Sequence, residues 1–152
     1  MKYDLLNATN NDIDYIKKAK LYSIFKYAHD LSKDEILKIN NYVEKHIPIE
    51  MIDYKIVIYD NKKIGCLLVT KKDDGAFLDE IYLEEEYRNK GLGTDIIKNI
   101  LKINPIVYLW VYKENKKAIS LSSILLLYPF TSKPLSFKSF TKSPLFISLF
   151  FA

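Results

Sequence analysis

Apolar residues recur along this chain at two spacings, and the switch between them separates helices from strands. Ile13, Ile16, Ala19 or Lys20, and Ile24 fall three or four positions apart, with Tyr15 and Tyr22 beside them, so Asp12–Ala28 is predicted to be an amphipathic helix. Thr9-Asn10-Asn11-Asp12 ahead of it is turn-like and offers caps. Ser32 with Glu35 three residues on forms a capping box, and Ile36, Ile39, Val43 and Ile47 carry a second helical stripe that Pro48 should end. A short strand, Tyr3–Ala8, precedes both helices.

The spacing then shortens. Asp53–Tyr59, Ile64–Lys71 and Ala76–Leu83 read as three strands of a meander, joined by Asp60-Asn61-Lys62-Lys63 and by Lys72-Asp73-Asp74-Gly75, with Gly75 expected at a left-handed turn position. Leu92–Ile103 returns to helical spacing, burying Ile96, Ile97, Ile100 and Leu101, and Asn104-Pro105 breaks it. Ile106–Tyr112 is nearly all apolar, as suits a strand covered on both faces. Strand, helix and strand across residues 76–112 make one βαβ crossover, so its two strands should be parallel.

Composition narrows the function classes. The 152 residues suit one domain, with a core of ordinary size. Residues 1–118 hold 20 basic and all 19 acidic residues, so the net charge of +4 falls to +1 there, too little for a nucleic-acid footprint. A lone Cys66 permits no intrachain disulfide and fits a reducing cytoplasm. Neither a signal-like apolar run at the N-terminus nor a span of about 20 apolar residues is present, so no membrane segment is expected.

Tyr87-Arg-Asn-Lys-Gly-Leu-Gly-Thr94 carries the clearest chemistry. A basic, glycine-bearing turn that opens a helix presents unpaired N–H groups and the positive end of a dipole to an anion. Gly91 and Gly93 admit a ligand that a Cβ would keep away, and Arg88 and Lys90 add charge suited to phosphates. The spacing is neither that of a Walker loop nor, with Ile96 at the third glycine position, that of the dinucleotide fingerprint.

Leu78-Asp-Glu-Ile-Tyr-Leu-Glu-Glu-Glu-Tyr-Arg-Asn-Lys-Gly-Leu-Gly-Thr94 resembles the acetyl-CoA-binding motif of the GNAT N-acetyltransferases, and the order of elements over residues 2–118 is similar as well. The resemblance implies a mixed α/β fold: a strand, two helices, a three-strand meander, a pyrophosphate-binding helix, a parallel strand and a last helix. It implies acetyl-CoA as cosubstrate, a small-molecule or peptide amine as acceptor, and no metal; a homodimer is compatible with it. The backbone of Ile81 and Leu83 would pair with the pantetheine arm. Asn89, Lys90, Gly91, Leu92, Gly93 and Thr94, with the Arg88 side chain, would hold the pyrophosphate. Asn115, which is equally a plain helix cap, would contact the cofactor. Asp79 and Glu80 are the candidate general bases, needed because an amine of lysine-like pKa is mostly protonated at neutral pH. Strand alternation points them to opposite faces, so at most one serves. Glu84-Glu85-Glu86 reads as a solvated loop, Cys66 as core, and His29 and His46 as structural. Tyr15, Tyr22, Tyr27 and Tyr42 would line one wall, more as core than as a substrate cage.

The family pattern stops at Leu121. Ser122 stands where these enzymes usually carry the tyrosine that protonates the departing CoA thiolate, and a leucine stands at each of the two places due for Gly-Phe. Residues 119–152 contain no Asp, Glu or Gly but eight Ser and six of the eight Phe. The reading is therefore an acetyltransferase domain over 1–121 and an aberrant apolar tail over 122–152, expected from a reading-frame shift near residue 122, with a divergent C-terminus as the alternative. Recovery of Tyr-x-x-x-Gly-Phe in another frame of the coding DNA would bear this out, and its absence from both would dispose of it. With the native end missing, the edge of the Ile106–Tyr112 strand should lie open, with weak or no turnover. A CoA-binding module without turnover is the alternative function.

Overall fold

The structure is a computed structural model that describes residues 2–104, 106–112, 114–120, 137–138 and 145–150. The chain divides into two units, Met1–Leu68 with Glu80–Glu86, and Val69–Asp79 with Tyr87–Ala152. Strands β3 (Lys62–Lys72) and β4 (Gly75–Leu83) each contribute residues to both.

In the first unit, β1 (Asp4–Asn7) pairs antiparallel with β2 (Tyr54–Tyr59), Asp4 opposite Ile58 and Asn7 opposite Lys55. On its other side β2 pairs with β3, from Tyr54↔Leu68 to Tyr59↔Lys62, with a bulge between Val57 and Ile58. The β2–β3 turn is tighter than the four residues expected. Asp60 and Asn61 alone make it, both with positive φ, as a two-residue hairpin whose twist matches its strands requires. Helix α1 (Ile13–Tyr27) follows a 3-10 turn, Asn10–Asp12, in which Asp12 Oδ2 accepts from both the Thr9 amide and the Thr9 hydroxyl at 2.8 Å. Helix α2 (Lys33–Glu50) starts at the anticipated capping box, with the Ser32 amide donating to Glu35 Oε2 at 2.8 Å and the Glu35 amide donating to Ser32 Oγ at 3.3 Å. Pro48 does not end it. The proline lies in the last turn, where a missing N–H forfeits one bond only, and the Met51 amide still reaches Ile47 O. Ile16, Ala19, Val43, Ile47, Tyr54, Ile56, Cys66, Leu68 and Tyr82 form this unit's core.

In the second unit, α3 (Leu92–Ile103) connects β4 to β5 (Ile106–Val111). The two strands are parallel as predicted, with Ala76↔Val107, Phe77↔Tyr108 and Leu78↔Leu109 in register. Leu92, Ile96, Ile97, Ile100 and Leu101 are the buried face of α3. Gly75 is not in the left-handed region; it begins β4, where an added Cβ would stand 2.2 Å from the Ile106 carbonyl oxygen. Glycine is needed there for close strand approach rather than for turning.

The far edge of β5, expected to be open, is paired. Strand β7 (Leu145–Phe150) runs antiparallel to it from Ile106↔Phe150 to Val111↔Leu145, and β6 (Phe137–Lys138) pairs with β7. Six residues rich in Phe, Leu and Ile suffice for a strand, although the tail shows no sustained period. The rest of the anticipated tail, including Ser122 and both leucines at the Gly-Phe positions, lies outside the described residues. Among the described residues no helix is long and apolar enough to cross a membrane.

Candidate functional site

Alternation along β4 separates the two candidate bases. Asp79 is exposed and accepts from Thr70 Oγ1 at 2.6 Å. Glu80 is buried, only 8% exposed. Its Oε2 accepts from the Tyr54 hydroxyl at 2.7 Å and lies 3.0 Å from Lys20 Nζ. Its Oε1 is buried with no hydrogen-bond partner among the described residues.

Burial and the charge of Glu80 together shift the groups around it. Burial works to lower the Lys20 pKa, but the charge of Glu80 and the hydrogen bond to it outweigh burial and hold the ammonium above its ordinary value. Burial and then the Glu80 charge push the Tyr54 phenol well above the ordinary range, so it stays a donor. The same two causes push the Cys66 thiol up, so this wholly buried cysteine stays a protonated core residue, as its strand position suggested.

Sequence reasoning missed Lys20 and Tyr54 as partners of Glu80. One signal was available: Lys20 shares the apolar face of α1 with Ile16, and a lysine there needs a counter-charge. A second omission is Gly65, where an added Cβ would stand 2.2 Å from the Tyr82 carbonyl oxygen and 2.8 Å from Leu83 Cδ2. The two strands touch backbone to backbone at that point, and the Glu84 amide donates to Ile64 O at 2.8 Å.

The acidic run is solvent-exposed at Glu85 and Glu86, as expected, with Glu84 half-buried. Glu84 Oε2 accepts from the Tyr82 hydroxyl at 2.9 Å; Glu85 accepts from the Tyr22 hydroxyl and lies 3.2 Å from Lys26 Nζ. Tyr15 and Tyr22 both meet Tyr82 edge to face, at 6.5 and 5.7 Å between centroids. Burial first, and then the Glu84 charge, raise the Tyr15 pKa. Tyr15 and Tyr22 thus pack against the core, whereas Tyr42 is exposed and stacks on His46 at 3.9 Å. Ile81 and Leu83 are half-buried on either side of buried Tyr82.

In the second unit, Arg88 to Gly91 forms the turn into α3. Asn89 and Gly91 both have positive φ, 59° and 83°. Gly91 is the N-cap of α3, and the Asp95 amide donates to its carbonyl at 3.0 Å. The next amides, Leu92, Gly93 and Thr94, fall in the first turn, where a helix offers its N–H groups no internal acceptor. Lys90 Nζ lies 5.4 Å from the Tyr87 ring centroid. Asn115 is a helix cap: its Oδ1 accepts from the Ala118 amide at 3.1 Å. Among the described residues no group of His, Cys, Asp and Glu is arranged to hold a metal ion.

The chain matches the family model "Acetyltransferase (GNAT) family" over residues 20–122. It is similar in fold to the PaiA N-acetyltransferase of Thermoplasma acidophilum in complex with coenzyme A, with a TM-score of 0.74 at 17% identity, covering 99% of this chain and 100% of that one. An N-acetyltransferase from Staphylococcus aureus Mu50 superposes with a TM-score of 0.65 at 16% identity, covering 95% and 98% of the two chains. The yncA protein of Salmonella typhimurium, with its cofactor acetyl-CoA, gives 0.59 at 12% identity over 99% and 94%. No curated protein matches the chain by sequence. With well over half of its length matched by the family model, the chain belongs to the GNAT acetyltransferase family.

Proposed function

We propose that the chain transfers the acetyl group of acetyl-CoA to a primary amine. The observation that carries this is the turn of Arg88, Asn89, Lys90 and Gly91, with two left-handed residues and the first-turn amides of α3 behind it. Consecutive N–H groups at a helix N-terminus suit a pyrophosphate, and the flanking cations add charge. Two solved relatives in fold, one with coenzyme A and one with acetyl-CoA, support that choice of anion. The family resemblance further assigns the backbone of Ile81 and Leu83 to the pantetheine arm, and Thr94 and Asn115 to the cofactor.

Glu80 is the better base of the two carboxylates. It is buried with a free oxygen, whereas Asp79 is exposed and bound to Thr70. Glu80 takes a proton from the incoming ammonium, directly or through water, and the neutral amine attacks the thioester carbonyl. Backbone N–H groups stabilise the oxygen as charge builds on it. The new C–N bond forms and the C–S bond breaks; the nitrogen loses its second proton to solvent, CoA leaves as a thiolate that takes a proton from solvent, and Glu80 returns its own proton to solvent.

The test pairs calorimetric titration of acetyl-CoA with thiol release over a panel of primary amines. Binding with amine-dependent release supports the reading; absence of binding overturns it. Ser122 at the usual tyrosine position favours a second reading, a CoA-binding module without turnover. Binding without release for any amine would select it.

A further inference from the structure

The environment of Glu80 is lopsided. A buried carboxylate in a purely structural ion pair spreads its donors over both oxygens, because each buried lone pair needs a partner. Here the Tyr54 hydroxyl, 2.7 Å away, and the Lys20 ammonium, 3.0 Å away, both serve Oε2, and Oε1 has none among the described residues. The two donors come from different elements, β2 and α1, so they fix the carboxylate from two directions. We infer that Lys20 and Tyr54 are positioning residues, which hold the Glu80 carboxylate through Oε2 and reserve Oε1 for the proton of the amine.

The surrounding groups agree with that division of labour. From β3 the Cys66 thiol is held neutral, and the Tyr54 phenol on β2 stays protonated. Glu50 at the end of α2, Tyr42 within α2, and Glu84 beyond β4 act on this cluster from farther off. Lys20, held charged, is the cation in contact with the carboxylate. Tyr54 supplies a neutral donor that neither gains nor loses a proton across the working pH range.

This inference rests on the reading of Glu80 as the base, so the experiment treats the two separately. Glu80→Gln should lower kcat about a hundredfold or more with acetyl-CoA affinity unchanged. Lys20→Met should move the acidic limb of the kcat/KM profile up by about one pH unit or more, because a nearby cation no longer favours the ionised carboxylate. Lys20→Arg should return the limb close to its native position. Tyr54→Phe should lower kcat about tenfold, the effect of losing one hydrogen bond to a charged group. Lys20→Gln stands in if the methionine variant does not fold. Titration of 13C-labelled glutamate carboxyls by NMR follows Glu80 directly and should shift in parallel with the limb. A Lys20→Met enzyme whose limb stays in place, or whose Glu80 titration moves while the limb does not, overturns the inference and leaves a structural ion pair. Full activity in Glu80→Gln, or no turnover by the native chain, overturns the base reading itself and the inference with it.

Discussion

Gly65→Ala adds one methyl group where β3 and β4 touch, and opposing effects decide its outcome. Gly65 is buried in a strand with ordinary backbone angles, so alanine there restricts the unfolded chain and favours folding by about 0.5–1 kcal/mol. Against this, the new carbon would stand 2.2 Å from the Tyr82 carbonyl oxygen and 2.8 Å from Leu83 Cδ2. The oxygen belongs to the backbone and cannot rotate aside, so the strands must part by roughly 1 Å or more to reach ordinary contact. Overpacking of that kind costs about 1–3 kcal/mol. The same displacement stretches the bond between the Glu84 amide and Ile64 O, now 2.8 Å, beyond hydrogen-bonding range, for about 1 kcal/mol more. The sum favours unfolding by about 1–3 kcal/mol. Urea titration followed by far-UV circular dichroism reads this as a lowered midpoint at constant slope. A midpoint unchanged or raised would refute the reasoning, since alanine would then have been accommodated without moving Tyr82.

Three further outcomes follow from named contacts. Gly91→Ala meets no atom within 4 Å, so its penalty is the left-handed backbone alone, about 1–2 kcal/mol by urea titration, and Gly91→Val should be worse than Gly91→Asn. Ser32→Ala removes one half of the α2 capping box and should cost about 1 kcal/mol on the same scale. Burial acts to raise the pKa of Asp12, yet Lys63 and the Thr9 bonds hold it below its ordinary 3.8. Its stabilisation is therefore present above pH 3.8 and lost as pH falls through the lower folded value. Asp12→Asn should accordingly show a shallower loss of stability on acidification, measured by denaturant titrations stepped downward from pH 6.

Local signals in the chain were legible. Helix α3 begins and ends at the predicted residues, because glycine before it and Asn-Pro after it act on their own neighbours. The capping box at Ser32 was equally local. The relations that escaped are those between residues far apart in sequence. Tyr54 and Lys20 converge on Glu80 across 26 and 60 positions, and no pattern along the chain encodes that meeting. Gly65 looked like an ordinary strand residue until β4 lay against it. Gly75 was read as a turn glycine from its neighbours Asp73 and Asp74, whereas Ile106, a distant residue, is what requires it. The turn from Arg88 to Gly91 was visible because its parts are consecutive.

The first unit takes its last segment, Glu80–Glu86, from beyond the excursion of Val69–Asp79, and this sets an order of events during synthesis. A ribosome delivers Lys20 and Tyr54 well before Glu80, at roughly 5–20 residues per second. Until then α1 and β2 hold a lysine and a tyrosine that have no carboxylate to bury against. The nascent chain must therefore leave that face hydrated and delay its final collapse. Arrest peptides placed downstream should report little pulling force until residue 86 has cleared the exit tunnel, and then a single sharp rise.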